Sequence, residues 1–501
     1  MGRSFFELCS DPSVTGPVRT TIDAIKTVLN EQDCQAVSDS LAQVTFLDLG
    51  NYSLTDLTPL AGAVKLKSLV LSYNSLTDLS PLGNLKVLEE LYLDRTGVTD
   101  IGVVANFPKL RVLSLLEDSV SDLAPLKDLV QLERLTLTRN PITDVTALAG
   151  LTHLKYLVLF ECQVSDIGPL KGLTGLKTLD LSGCKVKDIS VLKSLTTLEF
   201  LSLARNPVEK LHSISKFKFL KQLNILATGI ARLTPLKSLT ALTRLDAARN
   251  KITDLRPLAS LTRLTHLDLM KNQIKSVSPL KDLSRLTELA LDNNAISDFS
   301  PLLKMSRLVK LGITNNRLKH VRQLPKATGL RELLLSGNSL TTLTGIGRYK
   351  RLESLAISNN PIVDLSELDR LAELRVLDAE AVQFGDLRPL AGLLKLKSLR
   401  LSSNDITNLA PLSDLVALEI LFLDFNKLTD LQPLNRMAVL GSLYLSNNAL
   451  SDLSPLVALA SLAYLSVDDN PISDGTVAKT PQNCPIGQNV PRVLHDICSS
   501  T

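Results

Sequence analysis

The chain has 501 residues, of which 45% are hydrophobic and 4% aromatic, and a formal net charge of +4. This charge is small for the length, and no block of like charges suggests a nucleic-acid-binding arm. No apolar run approaches the roughly 18 residues that a membrane-spanning helix needs. No secretory leader is recognisable, and we expect Met1, Gly2 and Arg3 to stand where a leader was removed.

The N-terminal segment, residues 1–43, has a helical pattern. Apolar residues from about Val18 to Leu29 fall on one helix face, among them Ile22 and Ile25, and Pro17 precedes them. A second, shorter helical pattern covers Cys34–Leu41. We predict that this segment is a helical cap, because the open end of a stacked core must be covered.

Residues 44–473 hold twenty repeats of a 22-residue unit, with no insertion or deletion between successive strand starts from Val44 to Leu462. The unit reads L-x-x-L-x-L-x-x-N-x-I-x-D-L-x-P-L-x-x-L-x-x, as in residues 66–87. A fixed period in the twenties with this leucine spacing is typical of a leucine-rich-repeat solenoid. We therefore predict an α/β solenoid of horseshoe shape, with a parallel β-sheet on the concave face and 3₁₀ or extended chain on the convex face. Residues 474–501 depart from the pattern and are predicted to form a C-terminal cap.

Each repeat position has a predicted structural role. The fourth and sixth residues, Leu69 and Leu71 in the second repeat, should point into the core, and the third, fifth and seventh to the concave face. The ninth residue is Asn in thirteen of twenty repeats, such as Asn74, and its amide is predicted to bond neighbouring turns in a ladder. The thirteenth is Asp in fourteen repeats, such as Asp78. We interpret these carboxylates as caps of short convex-side helices rather than as a catalytic or calcium-binding array.

The six cysteines fall into two kinds. Cys162 and Cys184 occupy the ninth position of consecutive repeats and are predicted to be buried free thiols, with a disulfide or metal pair as the alternative. The other four form two pairs, each confined to one end of the chain: Cys9 with Cys34, and Cys484 with Cys498. Disulfides at these ends would fit an oxidising compartment, and reduced structural thiols are the alternative. The spacing offers no zinc motif, so we predict no metal site.

Aromatic residues concentrate on the predicted concave face. The third, fifth, seventh and eighth positions comprise 80 residues and hold ten of the nineteen Phe and Tyr, where an even spread gives about three. The predicted C-terminal patch comprises Ile420, Phe422, Phe425, Tyr444 and Tyr464 with the carboxylates Asp424 and Asp468. The predicted N-terminal patch comprises Leu116, Tyr156, Val158, Phe160 and Phe200. We interpret both patches as partner-binding surfaces, and a stabilising ladder of cross-strand pairs without a partner is the alternative.

The same 80 positions carry sixteen acidic and nine basic residues, a net charge of −7 against +4 for the whole chain. Such a face disfavours nucleic acid, which needs cations to neutralise its phosphates. The carboxylates around the C-terminal aromatics, Asp378, Glu380, Asp424, Asp468 and Asp469, are opposed only by Arg400. We predict that this face binds a basic or amphipathic segment of a protein, with no cofactor. Rings beside carboxylates would also suit a glycan, which is the second candidate ligand. We expect a monomer.

Charged residues also meet on adjoining repeats in the middle of the face: Arg244, Asp246, His266, Asp268, Met270, Glu288 and Asp292. Asp246 and Asp268 should be lateral neighbours, so a hydrolytic carboxylate pair or a calcium site is conceivable. Arg244, Arg249 and Lys271 would neutralise that pair, and we favour an ordinary ion-pair network. No nucleophile is expected beside His266. We therefore assign no catalytic residue and do not predict an enzyme.

Two stretches, LTDLSPLGNLKVLEELYL and ISDFSPLLKMSRLVKLGI, resemble the 22-residue leucine-rich-repeat subfamily that includes the bacterial internalins and the regulatory subunit of protein phosphatase 1. The cysteine-bearing ends, with N-P-I-S-D leading to C-P and a final C, resemble those of secreted bacterial leucine-rich-repeat proteins. The resemblance implies an exported protein, secreted, periplasmic or on the cell surface, that binds another macromolecule. An intracellular scaffold like the phosphatase regulator is the alternative, although the caps differ from that protein's.

Overall fold

The structure is a computed structural model and describes residues 3–472. The chain falls into two compact units, Met1–Lys251 (unit 1) and Ile252–Thr501 (unit 2). The predicted C-terminal cap with Cys484 and Cys498 lies outside the described residues.

Unit 1 begins with three helices, α1 (Phe5–Ser10), α2 (Gly16–Leu29) and α3 (Cys34–Leu41). The last two match the sequence prediction to within two residues, whereas α1 was not predicted. A capping box stabilises α1: the Ser4 hydroxyl accepts a hydrogen bond from the Glu7 N–H, and the Glu7 carboxylate accepts one from the Ser4 N–H at 2.7 Å.

These helices are fixed to each other and to the first repeat. Cys9 and Cys34 form a disulfide between α1 and α3, in agreement with the pairing expected from the sequence. The Thr21 hydroxyl of α2 donates a hydrogen bond to the Asp56 carbonyl at 2.5 Å. Ile22 of α2 is fully buried. The α-helices therefore form the N-terminal cap of the repeat stack.

The rest of unit 1 is a parallel sheet of three-residue strands. These strands are β1 (Phe46–Asp48), β2 (Ser68–Val70), β3 (Glu90–Tyr92), β4 (Val112–Ser114), β5 (Arg134–Thr136), β6 (Tyr156–Val158), β7 (Thr178–Asp180), β8 (Phe200–Ser202), β9 (Gln222–Asn224) and β10 (Arg244–Asp246). Each strand pairs with the next in the chain, and paired residues are 22 apart, as with Leu47 and Leu69. The constant repeat length therefore fixes the register of the sheet.

Unit 2 repeats this arrangement. Its strands are β11 (His266–Asp268), β12 (Glu288–Ala290), β13 (Lys310–Gly312), β14 (Glu332–Leu334), β15 (Ser354–Ala356), β16 (Val376–Asp378), β17 (Ser398–Arg400), β18 (Ile420–Phe422), β19 (Ser442–Tyr444) and β20 (Tyr464–Ser466). They too are parallel and paired in chain order at the same offset.

Short 3₁₀ helices connect the strands, as predicted for repeats too short to hold a full α-helix. In unit 1 they span Thr58–Leu60, Ser80–Asn84, Gly102–Asn106, Ala124–Leu126, Thr146–Leu148, Gly168–Gly172, Ser190–Ser194, His212–Ile214 and Thr234–Ser238. In unit 2 they span Arg256–Leu258, Ser278–Leu280, Ser300–Leu302, Val321–Gln323, Ile346–Arg348, Ser366–Arg370, Arg388–Leu390, Ala410–Leu412, Gln432–Leu434 and Ser454–Ala458.

The predicted core and asparagine ladder are confirmed. Leu69 and Leu71 are fully buried. The Asn74 amide donates to the Leu49 and Leu71 carbonyls at 2.9 and 2.7 Å, and its oxygen accepts from the Leu54 N–H at 2.8 Å. Each ladder residue thus joins two successive repeats by satisfying buried backbone groups.

The thirteenth-position carboxylates cap the 3₁₀ helices, as predicted. Asp78 accepts a hydrogen bond from the Ser80 N–H at 2.8 Å, and Asp100 accepts one from the Gly102 N–H at 2.7 Å. The N-cap residue itself is the intervening one, Leu79 in the first case, and its side chain makes no cap. The aspartates are structural, as expected, but they bind the first helical N–H from the position before the N-cap.

The eighth residue turns the chain sharply after every strand. Its φ is positive in all twenty repeats, at eighteen non-glycine residues and at Gly183 and Gly337. Asn and Gly tolerate this left-handed conformation best. The other thirteen residues are neither Asn nor Gly and include Tyr73 and Phe425. The sequence prediction placed the eighth residue on the concave face but missed this turn.

Candidate functional site

We call the surface formed by the third, fifth, seventh and eighth residues of the repeats the strand face. On this face of unit 2, three aromatic rings stand in a row across β18, β19 and β20. The Phe422 and Tyr444 ring centroids are 4.2 Å apart and the ring planes 15° apart. The Tyr464 ring lies 4.8 Å from that of Tyr444 at 36°. Phe422 and Tyr444 are register partners, whereas Tyr464 pairs with Ser442 and its ring leans across to Tyr444.

Arg400 extends this row on the side of β17. Its guanidinium carbon lies 4.0 Å from the centroid of the Phe422 ring. The same guanidinium is 3.9 Å from the Asp378 carboxylate and 3.8 Å from that of Glu380. Arg400 and Tyr444 therefore both stack on Phe422, and two of the carboxylates that the sequence analysis counted as acidic surface are already paired.

The open part of the C-terminal patch lies beside this row. Phe425 is 58% exposed and Tyr464 49%, while Ile420 is 37% exposed. The side chains of Asp468 and Asp469, in the loop after β20, have no hydrogen-bond or ion-pair partner among residues 3–472. Exposed rings and unpaired carboxylates thus occur within three successive repeats at this end of the strand face.

Other carboxylates on the strand face bond the backbone. The backbone N–H groups of the sixth and eighth residues of a repeat donate to carbonyls of the next repeat, as Leu71 does to Tyr92 at 2.8 Å. The N–H of the seventh residue has no such backbone acceptor. Asp48 accepts from the N–H of Gly50 two residues on, at 2.9 Å. Asp424 accepts from the Ser446 N–H on the next repeat, at 2.9 Å. Seven of the sixteen acidic residues satisfy a seventh N–H in one of these two ways: Asp48, Asp94, Asp180, Asp246, Asp268, Asp292 and Asp424.

This backbone role was missed by sequence reasoning, although a signal was present. All seven residues are Asp, and all lie at the fifth or seventh position. The Asp side chain is short enough to accept a hydrogen bond from a nearby backbone N–H. Glu occurs at these two repeat positions only once, at residue 380. Part of the negative charge of the strand face therefore has a structural cause.

The N-terminal patch, in unit 1, is arranged differently. Tyr156 on β6 and Phe200 on β8 are half-buried and flank Thr178 on β7, with which both are in register. The Arg134 guanidinium covers one face of the Tyr156 ring at 4.5 Å. Val158, a predicted contact residue, is only 9% exposed and lies beneath its neighbours.

The two remaining residues of the N-terminal patch, Leu116 and Phe160, are at the seventh position of their repeats. Leu116 is half-buried, and the Phe160 ring lies 5.8 Å from the Arg139 guanidinium. Between the Tyr156 and Phe200 rings is an open cavity of about 360 Å³. Its lining residues are Tyr156, Val158, Thr178, Asp180, Glu199, Phe200, Lys221 and Gln222.

Rows of ion pairs border the strand face of unit 1. The row at the eighth position comprises Arg95, Glu117, Arg139, Glu161 and Arg205. The row at the second position comprises Lys67, Glu89, Arg111, Glu133, Lys155, Lys177, Glu199 and Lys221. Hydrogen bonds from Lys155 and Arg111 hold the pKa of Glu133 below its usual value. Solvent screens such exposed pairs, so each contributes little to stability.

The central charged residues make local contacts in each unit. In unit 1, Asp246 accepts from the Ala248 N–H at 3.2 Å, and burial raises the pKa of its carboxyl. In unit 2, His266 Nε2 is 3.4 Å from the Glu288 carboxylate, and Nδ1 is 2.8 Å from the Thr265 hydroxyl. Within residues 3–472, no three His, Cys, Asp or Glu side chains are grouped so that they could hold a metal ion.

Comparison with known proteins identifies the repeats. The family model described as leucine-rich repeats (2 copies) matches residues 64–106, 152–194, 240–282 and 394–436. The chain has the leucine-rich-repeat fold. It is similar to an internalin (inlF) from Listeria monocytogenes, with 29% identity over 72% of this chain and 94% of that one and a TM-score of 0.53. The resemblance to the internalin type is therefore confirmed.

Further solved structures share the fold. A leucine-rich-repeat protein of Leptospira interrogans is 24% identical over 85% of this chain and 96% of that one, with a TM-score of 0.53. The ectodomain of the Arabidopsis thaliana receptor kinase GASSHO1/SCHENGEN3, solved in complex with CASPARIAN STRIP INTEGRITY FACTOR 2, is 23% identical over 85% of this chain and 56% of that one, with a TM-score of 0.71. No curated protein matches the chain significantly. Among the described residues, no helix has the length and apolar character to cross a membrane.

Two cysteines stand at ladder positions that hold asparagine in most repeats. Cys162 and Cys184 are buried free thiols, as predicted. Their Sγ atoms lie 3.1 Å from the Leu137 and Leu159 carbonyls, which is the contact that a ladder Asn makes through Nδ2. Burial raises the pKa of Cys162 to about 11 and that of Cys184 to about 12. Both thiols are therefore protonated and unreactive at neutral pH.

Asp118 is another of the seven ladder positions that lack Asn, and sequence reasoning passed over it. Its Oδ1 accepts from the Thr96 and Gly97 N–H groups, each at 2.8 Å. Its Oδ2 is buried and has no hydrogen-bond partner in the described chain. At the same place in the ladder, Asn140 Nδ2 donates to the Leu115 carbonyl. Burial raises the pKa of the Asp118 carboxyl, which places an acid where the ladder needs a donor.

Proposed function

We propose that this leucine-rich-repeat protein is exported from a bacterium and binds a basic or amphipathic segment of a partner protein on its strand face, without catalysing a reaction. The observation that carries the proposal is the open part of the C-terminal patch. There Phe425 and Tyr464 expose their rings, and Asp468 and Asp469 are unpaired within the described chain. The proposal assigns no catalytic residue and no cofactor.

A stabilising ladder of rings accounts for only part of this patch. It explains Phe422 and Tyr444, whose rings cover each other. It does not explain Phe425, which is 58% exposed, makes no ring stack among the described residues and lies at a φ of 55°. A bulky side chain at positive φ is uncommon in folded proteins. Aromatic residues held open on a surface are typical anchors of protein interfaces.

Charge favours a basic partner. Seven strand-face aspartates bond backbone N–H groups and Arg400 pairs with two more carboxylates, yet the accepting Asp residues keep their negative charge. Asp468 and Asp469 add two charges at the exposed end. A Lys- or Arg-bearing segment would be attracted to this end, and its apolar residues would cover the rings. Nucleic acid would be repelled there.

The N-terminal cap supports export. The Cys9–Cys34 disulfide joins α1 to α3, and stable disulfides are characteristic of oxidising compartments. An intracellular scaffold would keep these thiols reduced. Similarity to a Listeria internalin supports a bacterial origin.

Parallel peptide and glycan arrays test the proposed ligand class. We expect the full chain to bind peptides that combine Lys or Arg with apolar residues, and to bind them more weakly as salt rises, because screening weakens exposed charge pairs. Binding to glycans with no peptide selectivity would replace the proposal with carbohydrate recognition. Binding to neither array would remove its basis.

A further inference from the structure

The gap between the Tyr156 and Phe200 rings has the geometry of a side-chain binding site. We propose that it is a subsite for one arginine side chain of the partner protein, whose guanidinium inserts between the two rings and pairs with Asp180. This inference rests on the proposed function and specifies the partner chemistry of the N-terminal patch.

The spacing of the rings leaves room for one planar group. Tyr156, Thr178 and Phe200 are in register on three adjacent strands, so the two aromatic residues are two strand spacings, about 9.6 Å, apart at the backbone. A planar group in van der Waals contact with a ring on each side needs about 7–8 Å between the rings. Thr178, between them, is too short to fill that space. The open cavity of about 360 Å³ that both rings line includes this gap and extends past Phe200 to Lys221 and Gln222.

The C-terminal patch shows why this spacing matters. Phe422 and Tyr444 are on adjacent strands, one spacing apart, and their rings are in contact at 4.2 Å. Nothing can enter between them. Rings on adjacent strands form a closed stack. Rings two strands apart, on either side of a short residue, leave a slot, as Tyr156 and Phe200 do on either side of Thr178.

The chain itself stacks guanidinium groups on rings at this register. Arg134, the register partner of Tyr156 on β5, lies 4.5 Å from the Tyr156 centroid. Arg400 lies 4.0 Å from Phe422 in the same relation. Arg134 occupies the β5 side of Tyr156, so the face still available is the one toward Thr178 and the cavity. An arginine entering there would repeat on the second face of Tyr156 an arrangement that the repeat geometry already supports.

Charge at the base of the slot favours a cation. Asp180, between Val158 and Ser202 in register, accepts from the Ser182 N–H at 2.8 Å through Oδ1, while its Oδ2 has no hydrogen-bond partner among the described residues. The other lining carboxylate, Glu199, is already bound by Lys221 at 2.6 Å. The lining therefore has a net charge of −1 and one carboxylate oxygen to offer.

Arginine suits this site better than the other candidates. Its guanidinium is planar, so it can stack on both rings and present N–H groups to Asp180 at its edge. A lysine ammonium offers no plane, and a phenylalanine ring offers no hydrogen-bond donor to Asp180 Oδ2. A sugar could stack on the rings, but it would not neutralise the carboxylate.

The test uses the full chain and four short capped peptides, Gly-X-Gly with X as arginine, citrulline, lysine or phenylalanine, titrated by saturation-transfer difference NMR. Citrulline keeps the shape of arginine without its charge. We expect saturable binding of the arginine peptide in the millimolar range, and binding of the other three at least about fivefold weaker. Equal binding of arginine and citrulline, or stronger binding of phenylalanine, would overturn the assignment.

Asp180→Asn and a matched control locate the site. Asn keeps an oxygen for the Ser182 N–H and removes only the charge, so the fold should be unchanged by circular dichroism. We expect Asp180→Asn to weaken the binding of the arginine peptide about fivefold or more. Asp48→Asn makes the same change at the same repeat position, where Gly50 is bound in the same way, and should leave the affinity within about twofold. Equal effects of the two variants would exclude the slot.

Failure of this inference is distinguishable from failure of the proposed function. If the arginine peptide is not preferred but array peptides still bind and lose affinity when Phe425 is changed, only the slot assignment is wrong. If no array peptide binds, the proposed function itself fails. A glycan that binds and is displaced by the arginine peptide would show that the slot takes sugars.

Discussion

Phe422 and Tyr444 stack at 4.2 Å because the 22-residue repeat places them at the same position on adjacent strands. Tyr156 and Phe200 occupy an earlier position of their repeats, but two strands apart, and leave a gap. The number of strands between two rings thus decides whether they stabilise each other or leave room for a ligand. The strand face of this protein contains both arrangements.

The Phe422–Tyr444 stack should contribute local stability without being required for folding. Phe422→Ala and Tyr444→Ala should each raise hydrogen exchange in β18–β20, with a coupling of about 0.5–1.5 kcal/mol in a double-mutant cycle. Both variants should also weaken binding of array-selected peptides. The control is Ser442→Ala, on β19 with Tyr444 but at the third position of the repeat. Unchanged peptide affinity in both aromatic variants would remove this pair from the binding site.

Asp118→Asn should stabilise the protein at neutral pH. The introduced amide nitrogen would replace the buried Oδ2. It would donate a hydrogen bond to the backbone carbonyl that a ladder Asn normally contacts. Removing an unsatisfied buried acid is worth about 1–3 kcal/mol. Because burial raises the pKa of Asp118 above 3.8, the folded state binds more protons than the unfolded state, so stability falls as pH rises through that raised pKa. Local hydrogen exchange around β4 and β5 should show the gain at pH 7 and lose it below about pH 4.

The reverse substitution provides the control for this prediction. Asn140→Asp places the same acid in an intact part of the ladder, where Asn140 Nδ2 donates to the Leu115 carbonyl at 2.5 Å. It should destabilise the neighbouring repeats at pH 7 by a similar amount. A gain from Asp118→Asn that does not change with pH would contradict the titration argument.

Cys162 and Cys184 should resist alkylation in the folded protein. With pKa values of about 11 and 12 and buried Sγ atoms, less than about 0.1% of either thiol is ionised at pH 8. Iodoacetamide followed by peptide mass mapping should label both only after denaturation. Cys162→Asn should in addition stabilise its repeat by about 0.5–1.5 kcal/mol, because an amide oxygen could accept from the Ile142 N–H as Asn140 accepts from Val120. Rapid native labelling would contradict the buried placement.

Reduction of the Cys9–Cys34 disulfide should loosen the cap. The bridge closes a separation of 25 residues, which corresponds to about 3 kcal/mol in the chain-entropy account. Cys9→Ser with Cys34→Ser should raise hydrogen exchange in α1 and α3 while leaving β11–β20 unchanged. Mapping of free thiols in protein secreted under oxidising conditions should find both cysteines disulfide-bonded. Free thiols at both positions would remove the argument for export.

The sequence determined most of the fold because the repeat is uniform. The 22-residue offset predicted the strand register within each unit, the buried leucines and the asparagine ladder, since each repeat of a solenoid contacts mainly its neighbours. Helix α1 was missed although the Ser4–Glu7 capping box is readable as S-x-x-E. The left-handed eighth residue was missed because only five Asn and two Gly mark it among twenty residues of varied type.

The candidate site was less predictable, because repeat position determines which face a side chain lies on but not what it touches. The sequence counted Asp424 and Asp180 as free surface charge, whereas the structure shows both accepting backbone N–H groups. It counted Arg400 as an isolated counter-charge, whereas the guanidinium stacks on Phe422. Val158 was predicted to contact a partner and is nearly buried. These contacts depend on rotamers and neighbours rather than on periodicity.

The central claim, that the strand face binds a protein segment, is tested most directly with two exposed phenylalanines. Phe425 is 58% exposed on the strand face, and Phe219 is 63% exposed in the turn before β9. We would measure the affinity of an array-selected basic peptide for Phe425→Ser and Phe219→Ser by calorimetry. The account predicts a loss of about tenfold or more for Phe425→Ser and no change for Phe219→Ser. Equal affinities for the two variants, or a loss confined to Phe219→Ser, would contradict it.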